Sequence, residues 1–352
     1  MSTNETQRHE RLAIYYEHPE WFKPLFAELD RRGVTYDQQL AQAHQFDPAV
    51  RHSPYALVVN RMSPSAHTRG HGHAINYTLQ YLAYLKDIDA NVLNGYDAYA
   101  YEISKSRQLN LFERLGVRYP RARVINHPSQ AVAAADRHTF PVIVKPNIGG
   151  SGAGIVAFES ADELAVAAAT ETIDLGLDSL ALVQEYLPAR GSSIVRVEVL
   201  DGEFLYAIKL HLDEAAPTFN LCPADYCDVP LRQNGDLEAG LADGVSGRGV
   251  LVEGYDPPLE IIATVKRILR AAHIEVGGVE YLINDRDGEV YFYDVNALSI
   301  FVADAPNVVG VDPFPRLVDF ILARAGKREA ARPAAHCERR QLRSQAGAFA
   351  AA

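Results

Sequence analysis

The chain has 352 residues, 48% of them hydrophobic and 22% charged, with a formal net charge of −11. Those proportions describe a folded protein of two or three domains, each able to bury its own core, and the acidic balance excludes a general nucleic-acid binder while leaving room for a local basic cleft. The N-terminal stretch MSTNETQRHERLA lacks an apolar signal core, no run is long and apolar enough for a bilayer, and Cys222, Cys227 and Cys337 form no CxxC motif; the expectation is a cytoplasmic protein with reduced thiols and neither disulfide framework nor structural zinc.

In chain order, Leu12 to Tyr16 reads as a strand, Trp21 to Arg32 as an amphipathic helix stopped by Gly33, and Tyr55 to Asn60 as a second strand. A helix follows over Ala74 to Leu85, a short strand over Ala90 to Leu93, and Ser104 can cap a helix that runs to Gly116. Strands alternating with helices imply a small parallel α/β domain. Past Tyr119-Pro120 the pattern turns to hairpins and short helices: strand Val142 to Lys145, strand Ile155 to Phe158, helix Ala161 to Glu171 and strand Leu180 to Glu185. From Ile194 come strands Val195 to Leu200 and Glu203 to His211, a long loop through Asn220 and Tyr226, helix Leu259 to Ala272 and a hairpin Val279 to Val295. After Gly326 the text shifts to Ala and Arg without an apolar face, which predicts a weakly ordered tail over 327–352. Tyr77, Tyr81 and Tyr84 fall at helical spacing and read as core.

The most informative segment is FPVIVKPNIGGSGAGIVAF, Phe140 to Phe158. Gly149, Gly150, Ser151, Gly152 and Gly154 can turn successive N–H groups toward an anion, and Lys145 adds a cation beside them. Because a strand follows the glycines and a helix begins only at the Ser160/Glu163 capping box, the loop is a hairpin tip that covers phosphates, unlike a Walker loop or dinucleotide fingerprint, where glycines open a helix. A flexible hairpin turn is the plain alternative.

A second cluster lies on the hairpin GGVEYLIN…YFYDVNAL. Pairing Asp285 with Glu289 across the Asp-Arg-Asp-Gly turn sets Glu280 opposite Asp294, and Asn296 two residues on shares that face. Two carboxylates and an amide oxygen on a rigid hairpin suit Mg²⁺, which shares its shell with water and phosphate; an exposed polar sheet face is the alternative. Flap and hairpin together describe a nucleotide site.

With these motifs in order, the chain resembles ATP-grasp enzymes over roughly residues 55 to 320, and is most similar to the group containing the ribosomal-protein glutamate ligase, the lysine-biosynthesis ligase and glutathione synthetase. The resemblance implies an α/β fold, α+β in its C-terminal part: an N-terminal pre-ATP-grasp domain over 1–120, a hairpin-rich lid over 121–190 and a C-terminal subdomain over 191–326. It implies that Lys105, in ISKSRQLNLFERLG, and Lys145 hold nucleotide phosphates, that Gln184, Glu185, Tyr186 and Leu187 of LVQEYLP hold adenine, and that Glu280, Asp294 and Asn296 ligate two Mg²⁺ ions. Arg196, Lys209 and Asn220 resemble the family's basic and amide positions near the γ-phosphate and are the catalytic candidates. Two departures stand out. Where relatives carry an acidic ribose contact past the hinge, this chain reads GSSIVRVEV, with Ile194 near that place and Ser192 or Ser193 as substitutes. After the metal-ligating Asn, a Ser-Pro-Gly-like sequence is replaced by Ala297-Leu298-Ser299-Ile300-Phe301, on a loop that borders the acceptor.

Arg61, just beyond a strand end where α/β sheets place ligand contacts, joins His211 and Ser299 as substrate-side candidates. His67, His71 and His73 in HTRGHGH suggest zinc, but the segment lacks an element that would converge three rings. Cys222 and Cys227 read as packing or pocket lining. The implied activity is ADP-forming ligation of a small amino-acid-like carboxylate to an amine through an acyl phosphate, with no nucleic-acid or membrane partner and a homodimer left open. Modification of a protein tail, a thiol acceptor, a non-catalytic ATP-binding module and a dinucleotide oxidoreductase are the rivals.

Overall fold

The computed structural model describes residues 11–150, 152–212 and 251–331, the side chains of 327–331 excepted. Asn220, Ser151, Cys222, Cys227 and the stretch 332–352 lie outside the described residues.

The first sheet is parallel. It is built by β1 (Leu12–Tyr16), β2 (Tyr36–Leu40), β3 (Leu57–Arg61) and β4 (Val92–Leu93) in the order β2-β1-β3-β4, with α1 (Lys23–Arg31) and α2 (Gly72–Asp87) between strands. Every residue of β1 and β3 is buried, as expected of inner strands covered on both faces. The edge strand β2, with the polar sequence YDQQL, carries no apolar pattern to announce it. Tyr81 is buried and packs with Tyr15, Phe46 and Tyr84, so the tyrosine stripe of α2 is core.

Two short helices, α3 (Tyr96–Glu102) and α4 (Lys105–Leu115), lead out of this sheet; Ser104 caps α4 through the Arg107 N–H and Gly116 ends it with a left-handed φ of 61°. A second, antiparallel sheet follows in the order β5-β8-β6-β7, from β5 (Ala122–Ile125), β6 (Val142–Pro146), β7 (Val156–Phe158) and β8 (Ala181–Glu185), with α5 (Ala131–Ala135) and α6 (Ala161–Ala169) on it. The capping box at Ser160 forms: the Glu163 N–H donates to the serine Oγ, while the Glu163 carboxylate accepts from the Glu159 N–H.

The third sheet, antiparallel throughout, runs β11-β10-β9-β12-β13 from β9 (Ser193–Leu200), β10 (Glu203–His211), β11 (Val252–Gly254), β12 (Val276–Ile283) and β13 (Val290–Asn296). Helix α7 (Leu259–Ala271) covers one of its faces through Ile261, Val265, Ile268 and Leu269 against Val197, Val279 and Tyr281. The opposite face looks toward the cleft. After α8 (Ala305–Val308), the last described helix, α9 (Pro313–Ala331), returns to the first sheet, where Leu317, Val318 and Ile321 join Leu25, Leu29, Leu57 and Val59 in one core. This helix runs past Gly326, where the sequence pattern placed the end of order. No helix among the described residues is long and apolar enough to cross a membrane.

Asn94 pins the first sheet to the third. Its buried amide donates to the carbonyls of Val276 and Ala297, and its Oδ1 accepts from the Glu275 N–H. Asn94→Ala leaves several buried backbone groups unpaired, so a loss of about 2–4 kcal/mol is expected, read as a lower urea midpoint at unchanged m-value.

Candidate active site

A cavity of about 650 Å³ opens where the three sheets meet, lined by the glycine loop, the β8 end, the β12–β13 hairpin and the segment after β3. Lys145, the fourth residue of β6, is 4% exposed and has no ion-pair or hydrogen-bond partner among the described residues. Burial, reinforced by the nearby Lys105 ammonium, pulls its pKa down to about 7. Lys105 opens α4, and its Nζ lies 2.7 Å from Asp294 Oδ1; burial works against the ammonium, but Asp294 outweighs it and holds the pKa above the ordinary lysine value. Asn147, two residues past Lys145, ties the two lysines together. Its Oδ1 accepts from the Ser106 N–H at 2.9 Å and its carbonyl from the Lys105 N–H, while Nδ2 donates to Asp178.

The glycine loop joins β6 to β7 as a hairpin tip, so it is a flap and opens no helix. Gly150 touches the segment after β3: a Cβ there would stand 2.8 Å from the Ser65 Cβ, closer than side chains tolerate. The flap thus lies against the first-sheet domain because this residue lacks a side chain.

Glu280 pairs with Asp294 across the hairpin, as the turn arithmetic requires, but by a different route. Near the turn the strands are offset, with Ile283 opposite Val290 and Gly288 N–H bonded to the Asn284 carbonyl, so the Asp285–Glu289 pair does not form; a bulge between Glu280 and Tyr281 restores the register. Tyr293 is the extra residue, and it lines the cavity beside Glu280. Asn296 Nδ2 also reaches Glu280, at 3.5 Å. Burial first and Asp294 second push the Glu280 pKa up, against the pull of Arg196 and Lys105. No group of three or more His, Cys, Asp or Glu side chains suited to a metal occurs among the described residues. Two carboxylates and one amide oxygen therefore fit an ion that completes its shell with phosphate and water, as Mg²⁺ does.

Arg196, on β9 opposite Glu280, is 5% exposed; its Nε donates to Glu198 at 2.6 Å, its Nη1 approaches Glu280 at 3.4 Å, and its Nη2 has no acceptor among the described residues. Glu198 is itself buried, with Oε2 unpaired. Its carboxylate lies across β12 at Gly278, where a Cβ would meet it at 2.9 Å.

At the β8 end, the N–H groups of Glu185 and Tyr186 are engaged by the Arg121 and Pro141 carbonyls, and the Glu185 carboxylate accepts from the Arg121 N–H. The Leu187 N–H has no acceptor among the described residues, and Gln184 Oε1 is buried and unpaired. Ile194 and Ser192 line the cavity nearby.

The structure departs from the sequence expectation at four residues. Lys209 sits opposite Val195, one step out of phase with Arg196, so it points to the other face of the sheet, over the Tyr255 ring at 4.5 Å and 4.0 Å from Glu253. His211 shares that face and bonds Glu253 at 3.0 Å; neither residue lines the cavity. Arg61 is 2% exposed and lies behind the cavity wall, where it donates to the Ser299 carbonyl and covers the Phe22 ring; burial lowers its pKa to about 10. Ser299 is fully buried and its Oγ accepts from the Phe301 N–H. Arg61 and Ser299 therefore shape the loop bordering the cavity. His71 binds Glu17 through Nδ1 at 2.5 Å, and His67 binds the Pro64 carbonyl.

Glu102, Asn147, Glu198 and Tyr293 were not legible as site residues. Glu102 ends α3 inside the cavity and accepts from the N–H groups of Ala297 and Leu298; burial lifts its pKa to about 7. Strand period alone would have placed Glu198 beside Arg196, whereas Tyr293 depends on the bulge, which carries no sequence signal.

The family model described as a RimK-like ATP-grasp domain matches residues 103–217. No curated protein sequence matches the chain. Among solved structures, ATP-grasp ligase PsnB complexed with minimal precursor is 17% identical, covers 90% of this chain and 99% of its own, and superposes with a TM-score of 0.59. The D-alanine–D-alanine ligase from Bacillus anthracis complexed with ATP is 14% identical over 91% of this chain and 98% of its own, TM-score 0.62. The D-cycloserine synthetase DcsG is 15% identical over 90% and 99%, TM-score 0.61. The fold is the ATP-grasp fold.

With its pKa near 7, Lys145 is about half neutral at pH 7, and a polyphosphate raises that pKa by favouring the charged form. Nucleotide binding at pH 7 should therefore take up about half a proton at this site, and affinity should fall as pH rises above 7. Calorimetry in buffers of different ionisation enthalpy checks this; Lys145→Arg, charged throughout, should remove that uptake.

Proposed function

We propose that this ATP-grasp protein is an ADP-forming ligase that activates a small amino-acid-like carboxylate as an acyl phosphate and joins it to an amine. The observation that carries the reading is the convergence of Lys105, Lys145 and Arg196 on the Glu280/Asp294/Asn296 face beneath a glycine flap. A carboxylate is a poor nucleophile toward a polyanion until charge on the transferred phosphoryl group is balanced. Lys145, buried and bonded to no anion among the described residues, is matched to that charge when protonated, and Arg196 Nη2 is a second donor without a partner among them. Glu280, Asp294 and Asn296 would hold Mg²⁺, which supplies charge neutralisation and orients phosphate oxygens. The free Leu187 N–H and the Gln184 amide offer a donor and an acceptor for adenine.

Lys105 bridges to Asp294, so one side chain links the phosphate cluster to the acidic face and keeps α4 against β13. The flap lies on the domain that carries Ser65, which excludes water from an acyl phosphate that water would otherwise hydrolyse. No side-chain nucleophile is required, and the amine attacks once the phosphorylated acid is held in place.

Lys145→Ala and Asp294→Ala should each cut ADP release by at least about a hundredfold while leaving the circular dichroism spectrum intact. The direct test incubates the enzyme with ATP, Mg²⁺ and pools of acids and amines, with hydroxylamine as trap, and follows ADP and product mass. A hydroxamate is expected with the true acid; ADP release without one, whatever the acid, would sink the acyl-phosphate step. A product in which the acid is joined to a thiol or a peptide tail would replace the amine by that acceptor.

A further inference from the structure

Away from the β8 end the cavity wall changes character. Trp21, on the short turn after β1, lines it together with Leu298, Ile300 and Leu212, and all four pack on one apolar core. The indole is held in one orientation: the His18 ring stacks on it at 4.2 Å and 8°, and the Arg69 guanidinium lies 4.8 Å from its centroid. Arg69 is fixed in turn by Glu17, a carboxylate only 2% exposed, which it meets through Nε and Nη2. A large partly buried aromatic secured from several sides and facing a cavity is surface kept available for contact.

Among the described residues, the cations beside this wall already have partners, and Arg61 keeps only its Nε unbonded. Arg69 is held by Glu17, as is His71, and Arg61 is turned to the Ser299 carbonyl. A charged substrate side chain packed here would lose water and find no counter-ion, whereas an apolar one gains burial at roughly 25 cal/mol per Å². A polar boundary does exist, where the wall meets the phosphate end: Ser63 lines the cavity and Arg196 Nη2 has no acceptor. One cavity thus offers a donor set for a carboxylate and, beyond it, an apolar wall.

Resting on the ligase reading above, we propose that the activated acid is an amino-acid-like molecule with a bulky apolar side chain, seated on Trp21, Leu298, Ile300 and Leu212 with its carboxylate toward Arg196. Trp21 is the residue that sets this specificity. Small acids leave the wall uncovered, and acids with charged side chains are rejected by desolvation.

Trp21 is the chain's single tryptophan, so indole fluorescence excited at the red edge reports on this wall alone. The protein is titrated with leucine, phenylalanine, alanine, aspartate and lysine in the presence of Mg²⁺ and a non-hydrolysable ATP analogue, and ADP release is measured separately with ATP and an amine pool. Leucine or phenylalanine should give a saturable blue shift, aspartate and lysine none, and kcat/KM should favour the apolar acids over alanine by about tenfold or more. Trp21→Ala should remove most of that preference and Trp21→Phe retain it, with the affinity for the ATP analogue unchanged in both. Preference for a charged or small acid, or an unaltered preference in Trp21→Ala, overturns the proposal. A saturable shift with no ADP release from any acid upholds the pocket and refutes the ligase reading; ADP release with aspartate or lysine and no shift does the reverse.

Discussion

A buried lysine that bonds no anion among the described residues is the constraint around which the cleft is arranged. Lys145 lies on the inner strand of the second sheet, where burial and the neighbouring Lys105 both oppose its charge. Such a group is tolerated because the rest of the fold is rigid enough to hold it there: Asn147 links its strand to the N-terminus of α4, and Lys105 on that helix is drawn off toward Asp294. Across the cleft the imbalance has the opposite sign, with Glu280 crowded by Asp294 and lifted toward its neutral form. Each half is disfavoured alone, and an anion beside Lys145 with a cation beside Glu280 would relieve both. The polar atoms left unpaired at Gln184, Arg196 and Glu198 belong to the same unfinished charge pattern.

Much of this was readable from the residues. The flap required only that a strand follow the glycines, and β7 does. The helix at Lys105 was announced by its Ser cap and Gly stop, both of which form. The Glu280–Asp294 pairing was reached from the turn, although two compensating irregularities produce it: a turn one residue longer than the pairing rule assumed and a bulge that restores the offset. A bulge leaves no trace in periodicity, so Tyr293 on the acidic face was out of reach.

The expectations that moved did so for geometric reasons. Lys209 and Arg196 lie on paired strands, yet register decides the face, and one residue of phase carries Lys209 to Tyr255 and Glu253. Arg61 follows a strand end as ligand-binding residues do, but the loop after β13 closes over it, so its role passes to the shape of that loop through Ser299. That loop is also where Glu102 acts, holding Ala297 and Leu298. A loop stapled at three successive residues by two different elements is a rigid wall, and rigidity there lets side-chain volume discriminate between ligands.

The return of α9 to the first sheet joins residues far apart in the chain. Leu25, Leu29, Leu57 and Val59 share a core with Leu317, Val318 and Ile321, so the face of the first sheet that α1 begins to cover is completed only by a helix some 250 residues later in the chain. Domains synthesised early usually complete their cores early. Here the core of the N-terminal sheet is completed by the end of the polypeptide, after the segments that form the second and third sheets.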